Sequence, residues 1–214
     1  MADGRKIARL LLKHYPEPKV ALEFGNALEL LIATILSAQC TDARVNEVTR
    51  SLFKKYRRAE DYVQAHPATL EKEIRSTGFY RSKAKKVREC CRKLVEAFGG
   101  KVPKDVDALT TLPGVGRKTA NIVLGNAFAQ QAIAVDTHVL RVSSRLGLAS
   151  SKNADKVEQA LMEQIPEDKW TAFTNALILH GRETCTARNP QCGRCVLYPE
   201  CEWPEKRGRT EVTA

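Results

Sequence analysis

The sequence predicts an all-α protein, and three observations predict it. Apolar residues recur three and four positions apart along nearly the whole chain, segment starts carry Ser, Asp or Asn while ends carry Gly or Pro, and no segment reads as a convincing strand. With 214 residues and 43% hydrophobic content, the chain can build one large domain or two small ones with real cores.

The elements follow in order. An N-terminal amphipathic piece places Ile7, Leu10 and Leu11 on one face and stops at Tyr15-Pro16-Glu17-Pro18, whose prolines cannot continue a helix and mark a linker. Over 27–36 the apolar residues run nearly all the way round, as in a helix buried on most sides. Asp42 then caps a helix carrying Val45, Val48 and Leu52, Asp61 opens a short one ended by Pro67, and Leu70 and Ile74 mark another that stops at Gly78. Ser82 is expected to cap 83–98, with Ala84, Val87, Cys91, Leu94 and Val95 inward and Gly99-Gly100 as its end. The outer face carries Arg81, Lys83, Lys85, Lys86, Arg88, Arg92 and Lys93, which is either a solvated face or a nonspecific phosphate contact. A short helix over 105–109 leads to a glycine hairpin, and the helix after it packs through Ala120, Val123, Leu124 and Ala127. Asp136 stands at an N-cap position before Val139, Val142, Leu146 and a Gly147 stop. Asn153 opens the next helix, ended by Pro166, and 170–180 forms the last.

Lys and Arg number 35 against 25 Asp and Glu, a formal charge of +10 that favours an anionic polymer or an anionic membrane surface as partner. No run of eighteen apolar residues occurs, so neither a membrane span nor a secretory signal is expected, and the chain reads as a soluble cytoplasmic protein. Seven cysteines, an odd count without an export signal, argue for reduced or metal-bound thiols rather than a disulfide framework. Cys40, Cys90 and Cys91 lie in apolar helical patterns and read as small buried hydrophobes.

The chemistry concentrates in two places. In Leu112-Pro113-Gly114-Val115-Gly116-Arg117-Lys118-Thr119-Ala120, two glycines permit φ > 0 and a tight hairpin, and a helix begins near Arg117. Its first-turn amides and positive dipole end make a natural seat for one phosphate. Lys118 sits in that first turn, where the dipole disfavours a cation and Thr119 and Ala120 are expected to strip its water; the neutral amine can then attack an electrophilic carbon and form a Schiff base. Asp136 reads as an N-cap, and a carboxylate so aimed can also stabilise positive charge at a sugar carbon or take the amine's proton. His138 and His180 read first as structural histidines. The second place is Cys185, Cys192, Cys195 and Cys201, a C-x6-C-x2-C-x5-C loop bent by Pro190, Gly193 and Pro199. Four thiolates on one continuous loop suit a four-iron, four-sulfur cluster better than the two separated knuckles of structural zinc, which stays the alternative.

The hairpin with Lys118, the run Val135-Asp136-Thr137-His138, the four-cysteine loop, and Leu36-Ser37-Ala38-Gln39 with Thr41-Asp42 together resemble the endonuclease III family of DNA glycosylases, over most of the chain. The resemblance implies two helical lobes: a six-helix barrel with the helix-hairpin-helix over 19–131, and an iron-sulfur lobe from 1–18 plus 132–214. It implies one [4Fe-4S] cluster on the four cysteines, a monomer that works near the nucleoid with no membrane attachment, and double-stranded DNA bound in a cleft with the damaged nucleotide flipped out. Lys118 is then the nucleophile that expels an oxidised pyrimidine and Asp136 its assistant, with β-elimination from the Schiff base nicking the strand. DNA contacts implied are Gln39 filling the gap, the loop holding Phe79 as wedge, the hairpin's Gly114, Val115, Gly116 and Arg117, and His138 and Arg188. Many relatives carry leucine at the position of Phe79, so an aromatic ring here can stack as well as prise. Two rivals are weighed against this: the adenine-mismatch relative lacks the lysine that this chain has, and a noncatalytic helix-hairpin-helix module predicts that Lys118→Ala leaves function intact.

Overall fold

A computed structural model describes residues 2–206, and among these there are eleven α-helices, four short 3-10 turns and no strand. The chain divides into a continuous unit, 20–129, and a discontinuous one made of 1–19 and 130–214. In chain order, α1 (Gly4–His14) belongs to the discontinuous unit. The continuous unit holds α2 (Ala27–Leu36), α3 (Asp42–Lys55), α4 (Ala59–Gln64), α5 (Pro67–Glu73), α6 (Tyr80–Phe98), α7 (Val106–Thr110) and α8 (Arg117–Ala127). The remainder of the discontinuous unit is α9 (Thr137–Arg145), α10 (Ala154–Gln164) and α11 (Trp170–Glu183), followed by the cysteine loop.

In the continuous unit α2 is the axis. Leu30 to Leu36 are all buried, with no polar face left over, because α3, α6 and α8 pack around it. Several starts differ from the sequence expectation. Thr41, not Asp42, caps α3, its hydroxyl accepting from the Arg44 amide at 3.3 Å. α4 begins at Ala59, and Asp61 acts from inside the first turn by accepting from the amides of Arg57 and Arg58. Pro67 opens α5 rather than closing α4, since proline's missing N–H is harmless at the first helical position. α6 starts at Tyr80, ahead of Ser82, because Gly78 and Phe79 take φ of 70° and 47° and turn the chain into the helix early. Lys83, placed by its charge on the outer face, is 3% exposed. Cys90 and Cys91 are fully buried as expected, but Cys40 is half-buried in the turn between α2 and α3.

The discontinuous unit packs α1 against α11 and α10, and α9 against α11. Its core joins Ile7 and Leu11 to Val139, Val142, Leu161, Phe173 and Leu177. The end of the chain's first segment is tied down where the Asn175 amide donates to the Pro18 carbonyl at 3.2 Å.

Candidate active site

The hairpin is built from its buried residues outward. Leu112 and Val115 are both in the core, and the Val115 amide donates to the Leu112 carbonyl at 3.0 Å, closing the turn between α7 and α8. Gly114 alone carries the left-handed φ, 81°, and a Cβ there would come within 3.2 Å of the Lys86 stem on α6. Gly116 does not need that freedom. Its φ of −97° suits any residue, and a Cβ on it would meet nothing within 4 Å. It is the N-cap of α8, which has no side-chain cap and no acidic residue in its first turn, so the positive end of α8 lies behind open space. Arg117 and Lys118 are exposed on this turn, Thr119 is half-buried and Ala120 is fully buried. The expectation that its neighbours strip Lys118 of water is therefore corrected: within its own unit the ammonium faces solvent, because only Ala120 of that trio turns inward.

Asp136 begins α9 in the discontinuous unit. Its Oδ1 accepts from the amides of His138 and Val139, both at 2.8 Å, while Oδ2 has no hydrogen bond among the described residues. His138 is half-buried; its Cβ closes to 3.0 Å on the Cβ that any residue but Gly181 would carry, and Arg141 Nη2 lies 3.2 Å from its Nδ1. Burial lowers the His138 pKa from its usual value, with Arg141 and Arg182 adding to this and Asp136 opposing it.

Arg141 also donates to the carbonyls of Gly181 (2.8 Å) and Cys185 (3.1 Å). One turn later Arg145 donates to Cys185 Sγ at 3.3 Å and to the carbonyls of Thr186 and Ala187, with its guanidinium 3.9 Å from the centre of the Trp203 ring. These two arginines hold α9 to the cysteine loop. Sequence reasoning missed both; their only local signal is a pair of cations four residues apart on a helix otherwise read for its apolar face. Cys185, Cys192, Cys195 and Cys201 all line one pocket, together with Arg145, His180 and Trp203. Among the described residues no three His, Cys, Asp or Glu side chains converge on a point fit for a single metal ion. Four thiolates brought to one pocket by one loop are the donor set of a cluster held by one thiolate per metal. His180 is buried beside them, its pKa pushed down to about 4 chiefly by desolvation, with Nε2 3.5 Å from Cys195 Sγ. Arg188 is exposed on the loop.

Gln39 and Phe79 are both exposed, and both take left-handed backbone, φ 52° and 47°. Phe79 is the large hydrophobic residue that the described surface leaves open, 68% exposed. Left-handed φ is uncommon for non-glycine residues and gathers at functional sites. Within the continuous unit α6 links these features, since it begins at the Phe79 loop and carries Lys86 under Gly114.

Residues 32–167 match the family described as HhH-GPD superfamily base excision DNA repair protein, and 185–201 match the iron-sulfur binding domain of endonuclease III. Endonuclease III of Bacillus subtilis (strain 168) is 46% identical over 196 residues, covering 91% of this chain and 90% of that one. That of Escherichia coli (strain K12) is 42% identical over 205 residues, covering 96% and 97%. The solved structure of a trapped endonuclease III–DNA covalent intermediate superposes with a TM-score of 0.89 at 45% identity, covering 94% of this chain and 97% of that one. The chain belongs to the endonuclease III family. It is a base excision repair DNA glycosylase with abasic-site lyase activity, it binds DNA, and it carries the family's [4Fe-4S] cluster. No helix of the described residues is long and apolar enough to cross a membrane.

Proposed function

We propose that this chain removes oxidised pyrimidines from double-stranded DNA and then nicks the strand, with Lys118 as the nucleophile. The observation that carries this reading is the exposed Lys118 amine on the first turn of an uncapped helix. With a DNA phosphate on the α8 amides beside Gly116, the amine of that turn is delivered to the adjacent sugar. Lys118 Nζ forms a bond to C1′ as the N-glycosidic bond breaks, and the base leaves with the bonding electron pair and gains a proton. The charge of Asp136 offsets the positive sugar while the base leaves, and its Oδ2, left over from capping, then takes the proton lost by the nitrogen. Ring opening gives the Schiff base; loss of a C2′ proton expels the 3′ phosphate, and water releases the lysine. Phe79 wedges into the stack and Gln39 fills the space left by the flipped nucleotide. Gly114, Val115, Gly116, Arg117, His138 and Arg188 complete the DNA contacts.

Cys185, Cys192, Cys195 and Cys201 would hold the [4Fe-4S] cluster, which would supply a rigid centre for a loop bearing Arg188 and Arg194, with Arg182 on the last turn of α11 just ahead of it. The protein acts as a cytoplasmic, nucleoid-associated monomer. Borohydride reduction in the presence of abasic-site duplex tests the mechanism: the intact protein should be trapped covalently and Lys118→Gln should not. Equal trapping of both removes Lys118 from the role. Iron and acid-labile sulfide, lost together when the four cysteines are replaced, test the ligands; zinc in active protein rejects them.

A further inference from the structure

We propose that Lys83 is a positioning residue that fixes the loop carrying Phe79 in the shape needed to separate stacked bases; this rests on the reading of Phe79 as the wedge. Its neighbours in the basic run of α6 lie in water, Arg81 and Lys85 with at least three-quarters of their side chains exposed, whereas Lys83 is 3% exposed. Taking an ammonium out of water is costly unless it is bonded, and an apolar side chain would fill the same space at less cost. What the ammonium gains is one short bond, Nζ to the Thr77 carbonyl at 2.6 Å.

That bond and a second one bracket the wedge. The Lys83 side chain holds the carbonyl two residues before Phe79, and the Lys83 amide donates to the Phe79 carbonyl itself at 3.0 Å. Thr77 is fixed in turn, 2% exposed with its hydroxyl donating to the Ile74 carbonyl at 2.8 Å. Between these fixed points Gly78 and Phe79 both hold positive φ, a shape an aromatic residue adopts only when its surroundings impose it. The Phe79 ring, largely in solvent, cannot impose it through its own packing. One turn along α6, Lys86 seats Gly114 of the hairpin, so the wedge and the phosphate seat share one rigid helix.

The test is a double-mutant cycle of Lys83→Met and Phe79→Ala on two substrates: a duplex with one dihydrouracil paired opposite guanine, and the same strand with the lesion in an unpaired bubble. Lys83→Met should slow base removal from the paired duplex about tenfold and from the bubble several-fold less, and in the Phe79→Ala background it should add less than about twofold. Thermal unfolding, followed alongside, separates this from general loss of structure, which would slow both substrates alike. An equal loss on the two substrates, the same loss without Phe79, or no loss at all overturns the role of Lys83 while leaving the wedge standing. If Phe79→Ala itself leaves the ratio of paired to unpaired rates unchanged, the wedge reading falls and the proposal with it. Should Lys83→Met not fold, Lys83→Gln, which keeps a donor but loses length and charge, takes its place in the cycle with the same outcomes.

Discussion

Helices α8 and α9 begin with the same physical asset, a turn of outward-pointing amides at the positive end of a dipole, and the two use it in opposite ways. α9 closes its start with its own carboxylate, Asp136 Oδ1 accepting twice. α8 leaves its start to Gly116, which brings no side chain at all. Capping is worth about 1 kcal/mol, and glycine gives up only a few tenths of that relative to a capping side chain, so the open start costs the fold little. What it gains is room for an oxygen from another molecule. A helix start can thus either aim a group that the protein owns or leave room for one that it does not.

The largest expected effect tests the closed start. Asp136→Asn keeps a good cap but loses the charge, so the thermal midpoint should barely move while strand cleavage falls by about 10²- to 10⁴-fold, as read in single-turnover assays. Near-normal cleavage would reduce Asp136 to a cap. Next comes the open start: Gly116→Asp gives α8 the arrangement of α9. Stability should hold or rise by a few tenths of a kcal/mol, while duplex affinity drops by about tenfold or more and the slope of log K against log salt shrinks by about one. Undiminished affinity would break the contrast between the two starts.

Smaller effects separate the two glycines of the hairpin. Gly114→Ala meets both a φ of 81° and the Lys86 stem, and should cost about 1–2 kcal/mol in urea unfolding, whereas Gly116→Ala meets open space at an ordinary φ and should be close to neutral. A third helix start extends the comparison at the lowest magnitude, because α6 follows Phe79 with no side-chain cap and is held instead from within by Lys83. Burial lowers the Lys83 pKa below the ordinary 10.5, with the nearby Cys40 partly opposing. The unfolded chain then keeps its proton to higher pH than the folded one, so across the interval from the lowered value up to 10.5 the wild type gains stability as pH rises. Lys83→Met lacks this gain, and urea curves compared at neutral and alkaline pH should show the wild type improving relative to the variant.

Where local chemistry decides structure, the sequence was readable. The all-apolar stretch of α2, the Asn153 cap of α10 and the Asp136 cap of α9 depend on residues a few positions apart, and they lie where patterning and capping rules put them. Other features depended on tertiary context. A left-handed phenylalanine is locally unfavourable, so nothing around Phe79 announced that α6 would begin at Tyr80. Charge sent Lys83 outward in the sequence reading, and only the Thr77 carbonyl shows why it turned in. Proline permits both a helix end and a helix start, and Pro67 took the second. Arg141 and Arg145 find their partners some forty residues downstream, beyond the reach of any periodicity. The hairpin turn, the place of Lys118 on the first turn of α8 and the N-cap role of Asp136 were legible because rare local residue combinations carry them. The exposure of Lys118 and the ordinary φ of Gly116 were not, since neither leaves a mark on composition.

The sealed pair Cys90 and Cys91 gives the molecule an internal clock. Both thiols have no exposed surface, and burial raises their pKa, that of Cys90 to about 12, so an alkylating reagent at neutral pH meets neither a route nor a thiolate. Their labelling should wait for the 20–129 unit to open, whereas Cys185, Cys192, Cys195 and Cys201 report on the other unit and its cluster. Timed alkylation read by peptide mass would then follow the lifetime of each unit separately in one unlabelled sample.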